Sequence, residues 1–392
     1  MSTNSAYKCS IAAMSLIVGN KETNIPTPSV KSIVIDTDYE NKIMPIIYVS
    51  LSINLELYNK LVTSVNDGKI YLNIKKYNVK ADVPIKEDKL KDQFIYFIPS
   101  NATYIKDLGD EKDNKLYSYI DITIGLMDIK LLDYKKKNFN TVYRNTDTRN
   151  LINIITSGRK LIMTPIKNNT KYNEFLMPPV TTRSEALDYI FNTDAFYDTM
   201  YTYFTDFDKS YLIDRTGRYT DNGRLNTVFI DIKSLDARSS YYEGITIDNN
   251  KNCYVLYLNP DDKTIVPNKV TEKVTNQIIG VYQNEVTKLD LNINNSKHSA
   301  DLTKSIFTRT NKVDTIIAKS ELESTSVILN LSKANIDADI FTPDKAYTVS
   351  NYEEDKEYDG RYILIYKKEV IGRMDNQYAT NTILGLRYVG TN

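Results

Sequence analysis

Apolar and polar residues alternate with period two along roughly the first 140 positions, the pattern of strands that bury one face. Residues 31–36 (KSIVID) open the series, and Asp38-Tyr39-Glu40-Asn41 supplies a polar turn. Residues 43–55 (IMPIIYVSLSINL) follow, with Ile47, Val49, Leu51, Ile53 and Leu55 on one side. Residues 10–19 (SIAAMSLIVG) form a short apolar run behind Lys8. Its length and thin charged flank read as a buried first strand rather than an export signal. A helical turn is predicted over 57–65, after which Asn66-Asp67-Gly68 turns the chain into a strand at 69–77 (KIYLNIKKY). Further strands at 94–99 and 117–126 predict an antiparallel sheet that closes or folds over on itself.

The period then changes. Residues 148–157 (TRNLINIITS) carry helical spacing, a Thr148 cap and Gly158 as a stop. Thr182-x-x-Glu185 is a capping box, in which two side chains satisfy orphan amides reciprocally, and Leu187, Ile190 and Phe191 follow on one helical face. Residues 201–215 return to alternation around an Asp-Phe-Asp turn. Strands are predicted at 227–232, 240–247 and 253–258, with a turn at Asn259-Pro260-Asp261-Asp262 and a long polar excursion over 283–312. Strands at 326–331, 346–349, 360–366 and 382–388 close the chain. The pattern divides it into a β unit at 1–143, an α/β insert at 144–222, a β-rich stretch with the polar excursion at 223–318, and closing strands at 319–392. The fold class is mainly β with an α/β insert.

Composition narrows the functions open to such a fold. The chain has 392 residues with Lys+Arg 50 and Asp+Glu 50, so its formal net charge is zero and a polyanion binder is disfavoured. No apolar run approaches the ~18 to 20 residues of a membrane helix, and no membrane partner is expected. Two cysteines, Cys9 and Cys253, exclude a disulfide scaffold or a Cys-based zinc cage, and His298 is the only histidine. Tyr numbers 31 and Trp 0. Tyrosine suits sheet surfaces and protein interfaces, where the ring is buried and the hydroxyl stays wet.

Candidate chemistry is sparse. Asp36/Asp38, Asp206/Asp208 and Asp337/Asp339 each place two carboxylates two residues apart, a spacing that suits a divalent cation or part of a glycosidase pair. D-x-D alone specifies neither, and aspartate is common in turns because it bonds its own backbone. His298 sits in polar sequence with no element to orient it. Lys135-Lys136-Lys137 reads as a solvated face, with Asp128 and Asp133 just upstream. The aromatics at 196–207 fit core or subunit contact better than a stacking platform. P-loop, G-x-G-x-x-G, G-x-S-x-G and H-E-x-x-H motifs are all missing. Accordingly no catalytic, cofactor-binding or metal-binding residue is predicted.

Three stretches together resemble a known family. Residues 30–55 resemble the first hairpin of phage baseplate hub proteins, with Met44-Pro45 at its second strand. Residues 181–215 resemble the hub segment after the first barrel, a capped helix and then a strand pair around Asp206-Phe207-Asp208-Lys209. Residues 341–366 resemble the final barrel, ending in Tyr358-Asp359-Gly360-Arg361-Tyr362. The family includes late-control and VgrG-type hubs and the N-terminal part of siphophage tail-associated proteins.

The resemblance implies two tube-like antiparallel β-barrels, the second completed by 319–392, plus smaller accessory domains. It implies a homotrimer that meets the hexameric tail tube protein above and a distal spike or lysin below, beside wedge proteins and the tape measure protein. DNA would only pass through. Such a protein would be assembled in the host cytoplasm into the virion tail baseplate. Its lumen is expected to be lined by mixed or acidic side chains, with Lys135–Lys137 outside it or paired with carboxylates. Two other readings stay open: a carbohydrate-binding or cell-wall-degrading tail protein, and a baseplate wedge or tube initiator.

Overall fold

The computed structural model describes residues 7–78, 86–99, 103–107, 118–194, 196–197, 201–215, 228–232, 237–242, 254–258, 265–269, 327–334, 337–351, 360–374 and 377–390. The turn at 259–262, the excursion at 283–312 with His298, and Cys253 lie outside them.

The alternating N-terminal sequence forms β1 (Tyr7–Val18), β2 (Lys21–Asn24), β3 (Val30–Asp38), β4 (Ile46–Asn54), β5 (Gly68–Asn78), β6 (Lys86–Phe97), β7 (Thr103–Asp107) and β8 (Ser118–Asp128). Helix α1 (Leu55–Thr63) follows β4, capped by Asn54, whose side chain accepts from the Leu57 amide. Met44-Pro45 precedes β4 rather than lying in it. Strand β6 begins well before the predicted 94–99, where its first half is polar and Leu90 is the one apolar residue turned inward.

The insert begins with α2 (Ile129–Lys135) and continues through β9 (Lys136–Phe139), β10 (Val142–Asp147), α3 (Thr148–Ile155), β11 (Lys160–Met163), β12 (Lys171–Leu176), β13 (Val180–Thr182), α4 (Arg183–Asp194), β14 (Tyr201–Thr205) and β15 (Lys209–Asp214). Asp147, not Thr148, caps α3, because its carboxylate reaches the Asn150 amide. The Thr182/Glu185 box forms as predicted: the Glu185 amide donates to Thr182 Oγ1 at 3.1 Å and the Thr182 amide to Glu185 Oε2 at 3.0 Å. The parallel pairing of β11 with β15 makes this unit α/β.

Beyond it lie β16 (Val228–Ile232), β17 (Ala237–Tyr242), β18 (Tyr254–Leu258), β19 (Ile265–Lys269), β20 (Val327–Ala334), β21 (Ala346–Asn351), β22 (Gly360–Met374) and β23 (Gln377–Gly390). The last two are far longer than the predicted 360–366 and 382–388. Their extra length joins the two ends of the chain: β22 pairs with β21 at its start and with β3 near its end, in one sheet ordered β17-β20-β23-β22-β3-β4-β8-β6-β5-β1-β2.

That sheet curls until β1 meets β23, where the Cys9 amide donates to Thr380 Oγ1 at 3.3 Å. No backbone ladder closes this gap among the described residues. The inner face holds Met14, Leu16, Ile33, Val49, Leu51, Ile70, Leu72, Phe94, Ile124 and Leu126, with Leu61 of α1 and Ile371 of β22 in the same core. A second core gathers Phe204, Tyr211, Phe341, Tyr347, Tyr362 and Leu386. A third, inside the insert, packs α3 on α4 through Leu151, Ile152, Leu187 and Ile190.

Each half of the sheet contains the same device. Phe97 stands opposite Gly125 across β6 and β8, and Tyr366 opposite Gly385 across β22 and β23. A Cβ at Gly125 would fall 2.2 Å from the Phe97 ring, and one at Gly385 2.1 Å from the Tyr366 ring. In both places the ring lies where a side chain would be.

Candidate functional site

Strand parity places charge on the inward face at the gap between β1 and β23. In β22, Lys367, Glu369 and Ile371 share one side and all are buried, beyond a bulge at Ile365 that shifts the register with β23. In β5, Ile70, Leu72 and Ile74 point inward, and Lys76 continues their row. An inward ammonium or carboxylate needs a partner, because burial removes its hydration. Here the partners come from distant sequence.

Lys89 Nζ lies 2.8 Å from Glu369 Oε2 and 2.9 Å from Asp339 Oδ1. Lys76 Nζ lies 2.8 Å from Asp339 Oδ2 and 3.4 Å from Asp337 Oδ2. The Cys9 thiol reaches Glu369 Oε1 at 3.6 Å. Lys367 Nζ donates to the carbonyls of Ala338 (2.9 Å) and Phe341 (3.1 Å). Asp337 also accepts from the Asp339 amide at 3.1 Å, which fixes the short turn that presents both carboxylates.

Electrostatics follow from these contacts. Burial opposes the charge on Lys89, yet Glu369 and Asp339 hold its ammonium above the ordinary lysine range. Burial likewise works against Asp339, but Lys89 and Lys76 keep its carboxyl well below the usual carboxylate range. Burial pulls Lys367 down, offset partly by Asp206, and pushes Asp206 up, offset partly by Lys367. Burial, then Glu369, pushes the Cys9 thiol up to about 12, so it is no nucleophile at neutral pH.

The structure therefore brings two of the three acidic pairs toward one seam, where lysines engage both Asp339 oxygens. Among the described residues no group of three His, Cys, Asp or Glu is placed to hold a metal ion. Asp36 lies in β3, with Lys42 Nζ at 2.5 Å. Asp38 does make the turn, accepting from the amides of Glu40 (3.1 Å) and Asn41 (3.0 Å). Asp206 starts the β14–β15 turn, its amide donating to Lys209 O at 2.7 Å. The arrangement is a clamp: it joins the paired strands β1, β5 and β6 to β22, which among the described residues has no backbone ladder to any of them.

A second clamp holds the insert to the sheet. Glu40 Oε2 accepts from Arg387 Nη2 at 2.8 Å, Oε1 lies 2.6 Å from Arg387 Nη1, and the carboxylate also pairs with Arg215, just after β15. The aromatics at 196–207 are mostly core, since Phe196, Tyr197 and Phe204 are fully buried. Lys135–Lys137 pair with no carboxylate among the described residues, and Lys137 instead lies over the Phe139 ring at 5.5 Å. No helix among the described residues is long and apolar enough to cross a membrane.

No protein-family model matches the chain, and no curated protein does. Among solved structures it is similar to a tail protein from Neisseria meningitidis, at 13% identity and a TM-score of 0.49, covering 97% of this chain and 96% of that one. The 43 kDa tail protein of prophage MuSo2 from Shewanella oneidensis is similar at 10% identity and TM-score 0.46, covering 97% and 99%. A chain of the half-lidded Francisella PdpA–VgrG complex is similar at 11% identity and TM-score 0.41, covering 98% of this chain and 59% of that one.

Proposed function

We propose that the chain is the central hub of a phage tail baseplate, a homotrimer that joins the hexameric tail tube to a distal spike or lysin. One observation carries the reading. The order β unit, α/β insert, β unit matches the order of the sequence resemblance, and the second β unit continues the sheet of the first through the β3–β22 ladder. The Gly125–Phe97 and Gly385–Tyr366 devices give the two units a common feature, as two related tube-like barrels would have.

In this reading the clamps hold the two barrels and the insert at fixed angles, and function lies in geometry rather than in a reaction. The tape measure protein, wedge proteins and tail tube protein are its neighbours, and DNA passes without being held. Mass photometry tests it. A particle three times the 45.1 kDa of one chain, with a threefold ring and open channel in electron micrographs, is expected. A monomer that binds or cleaves cell-wall glycans overturns it.

A further inference from the structure

The surface around Tyr134 concentrates positive charge in a chain whose formal net charge is zero. Two guanidinium groups stack on the Tyr134 ring, that of Arg183 at 4.0 Å and that of Arg159 at 5.3 Å from its centroid. The Tyr134 hydroxyl donates to Thr156 O at 2.5 Å and lies 3.3 Å from Ser210 Oγ. Lys135 follows Tyr134 directly, Lys160 follows Arg159, and Lys209 precedes Ser210. Lys136 pairs across β9 and β13 with Thr182, next to Arg183. The parallel register of β11 and β15 sets Lys160 directly opposite Lys209.

Like charges opposite one another on a sheet are destabilising, and no carboxylate among the described residues pairs with these lysines. An anion from outside the chain would relieve that repulsion. Burial alone pulls the Lys135 ammonium down to about 8, so this one is also short of water.

We propose that this face docks an acidic protein surface, engaged by Lys135, Lys136, Lys137, Lys160 and Lys209. Three features favour carboxylates on a protein over a nucleic acid. Both arginines are already spent on backbone carbonyls: Arg183 donates to Tyr134 O and Ile155 O, and Arg159 to Asp206 O and Phe207 O. Arg183 is engaged through Nε and Nη1 and Arg159 through Nη1, which leaves one guanidinium edge, Nε and Nη2 of Arg159, in place of a phosphate-gripping cluster. The aromatic ring of the patch is covered by those arginines and gives bases no platform. Exposed Asp133 and Asp208 border the lysines and would repel a continuous phosphodiester chain. Scattered carboxylates can avoid them, and lysines at such a rim chiefly steer the encounter. The inference stands apart from the hub reading.

Fluorescence anisotropy of the full chain with labelled poly-L-glutamate, and with a labelled DNA duplex, tests it at low and physiological salt. Replacing Lys135, Lys136, Lys137 and Lys160 by Gln should weaken polyglutamate binding at least about tenfold. The same change at Lys21, Lys69, Lys91 and Lys171 should leave it within about twofold. Acetylation footprinting of the unaltered protein supplies a second readout, independent of how the variants fold. Polyglutamate should protect Lys135–Lys137, Lys160 and Lys209. Equal loss in both variants, no protection, no binding at either salt, or tighter binding of DNA through the same lysines overturns the proposal.

Discussion

Lys89 and Glu369 have side chains only 6% and 5% exposed, so neither can lose its partner cheaply. Glu369→Gln leaves the Lys89 ammonium with only the half-exposed Asp339, and should cost about 3 kcal/mol. Replacing both, Lys89→Met with Glu369→Leu, should cost about 1 kcal/mol or less, because no buried charge remains unpaired. Urea unfolding of the four forms checks the cycle. The pH dependence has a definite sign. Asp339 is depressed below its ordinary 3.8, so its stabilisation is present above that value and lost as pH falls through the folded value. Asp339→Asn should flatten the acid limb of a stability profile. Lys135 has the opposite sense: its folded value, about 8, lies below the unfolded 10.5, so burying the charge costs stability at pH 7 and the cost fades as pH rises between them. Lys135→Gln should raise the melting temperature at pH 7. Part of this was legible in the sequence. Parity alone puts Lys367 and Glu369 in line with the inward Ile371 of an alternating strand, and Lys76 in line with Ile74. Their partners were not legible, because alternation fixes which face a residue takes but not which strand crosses the gap.

Elements whose information is local were readable. The Thr182/Glu185 box lies within four residues, and Thr182→Ala should cost about 1 kcal/mol in thermal unfolding. Gly158 turns the chain just past the Thr156 cap of α3, with φ +107, a backbone that only glycine adopts without strain. Elements defined by their neighbours were missed. Strand β9 is half lysine, exposed along its length except for Phe139, and exists because β13 pairs with it. The first half of β6 is charged on both faces because its inward Lys89 serves the clamp. The two glycine–aromatic pairs belong here too, since neither Gly125 nor Gly385 announces its ring in the sequence. Gly385→Ala must drive the Tyr366 ring aside and should destabilise by about 2 kcal/mol, measured by denaturant unfolding.

At the scale of the molecule, alternation gave a β unit, an insert and closing strands, but not that the first and last share a sheet. A fragment covering 1–143 lacks the partner of β3 and the Ile371 side chain in its core. It should aggregate when expressed alone and become soluble when co-expressed with 319–392, as gel filtration would show; a soluble monomeric fragment would contradict the shared sheet. The same ladder bears on how the protein is made. Asp38 pairs with Tyr366 and Ser32 with Gly372, a separation of about 330 residues. At ordinary elongation rates of ~5 to 20 residues per second, β3 waits roughly 20 to 60 seconds for its neighbour to leave the ribosome. During that wait its edge is open to any strand nearby, and the insert, which has its own core, can finish first. Translation thus delivers the keystone long after the edge it covers, and a chain stopped before β22 is left holding that edge unpaired.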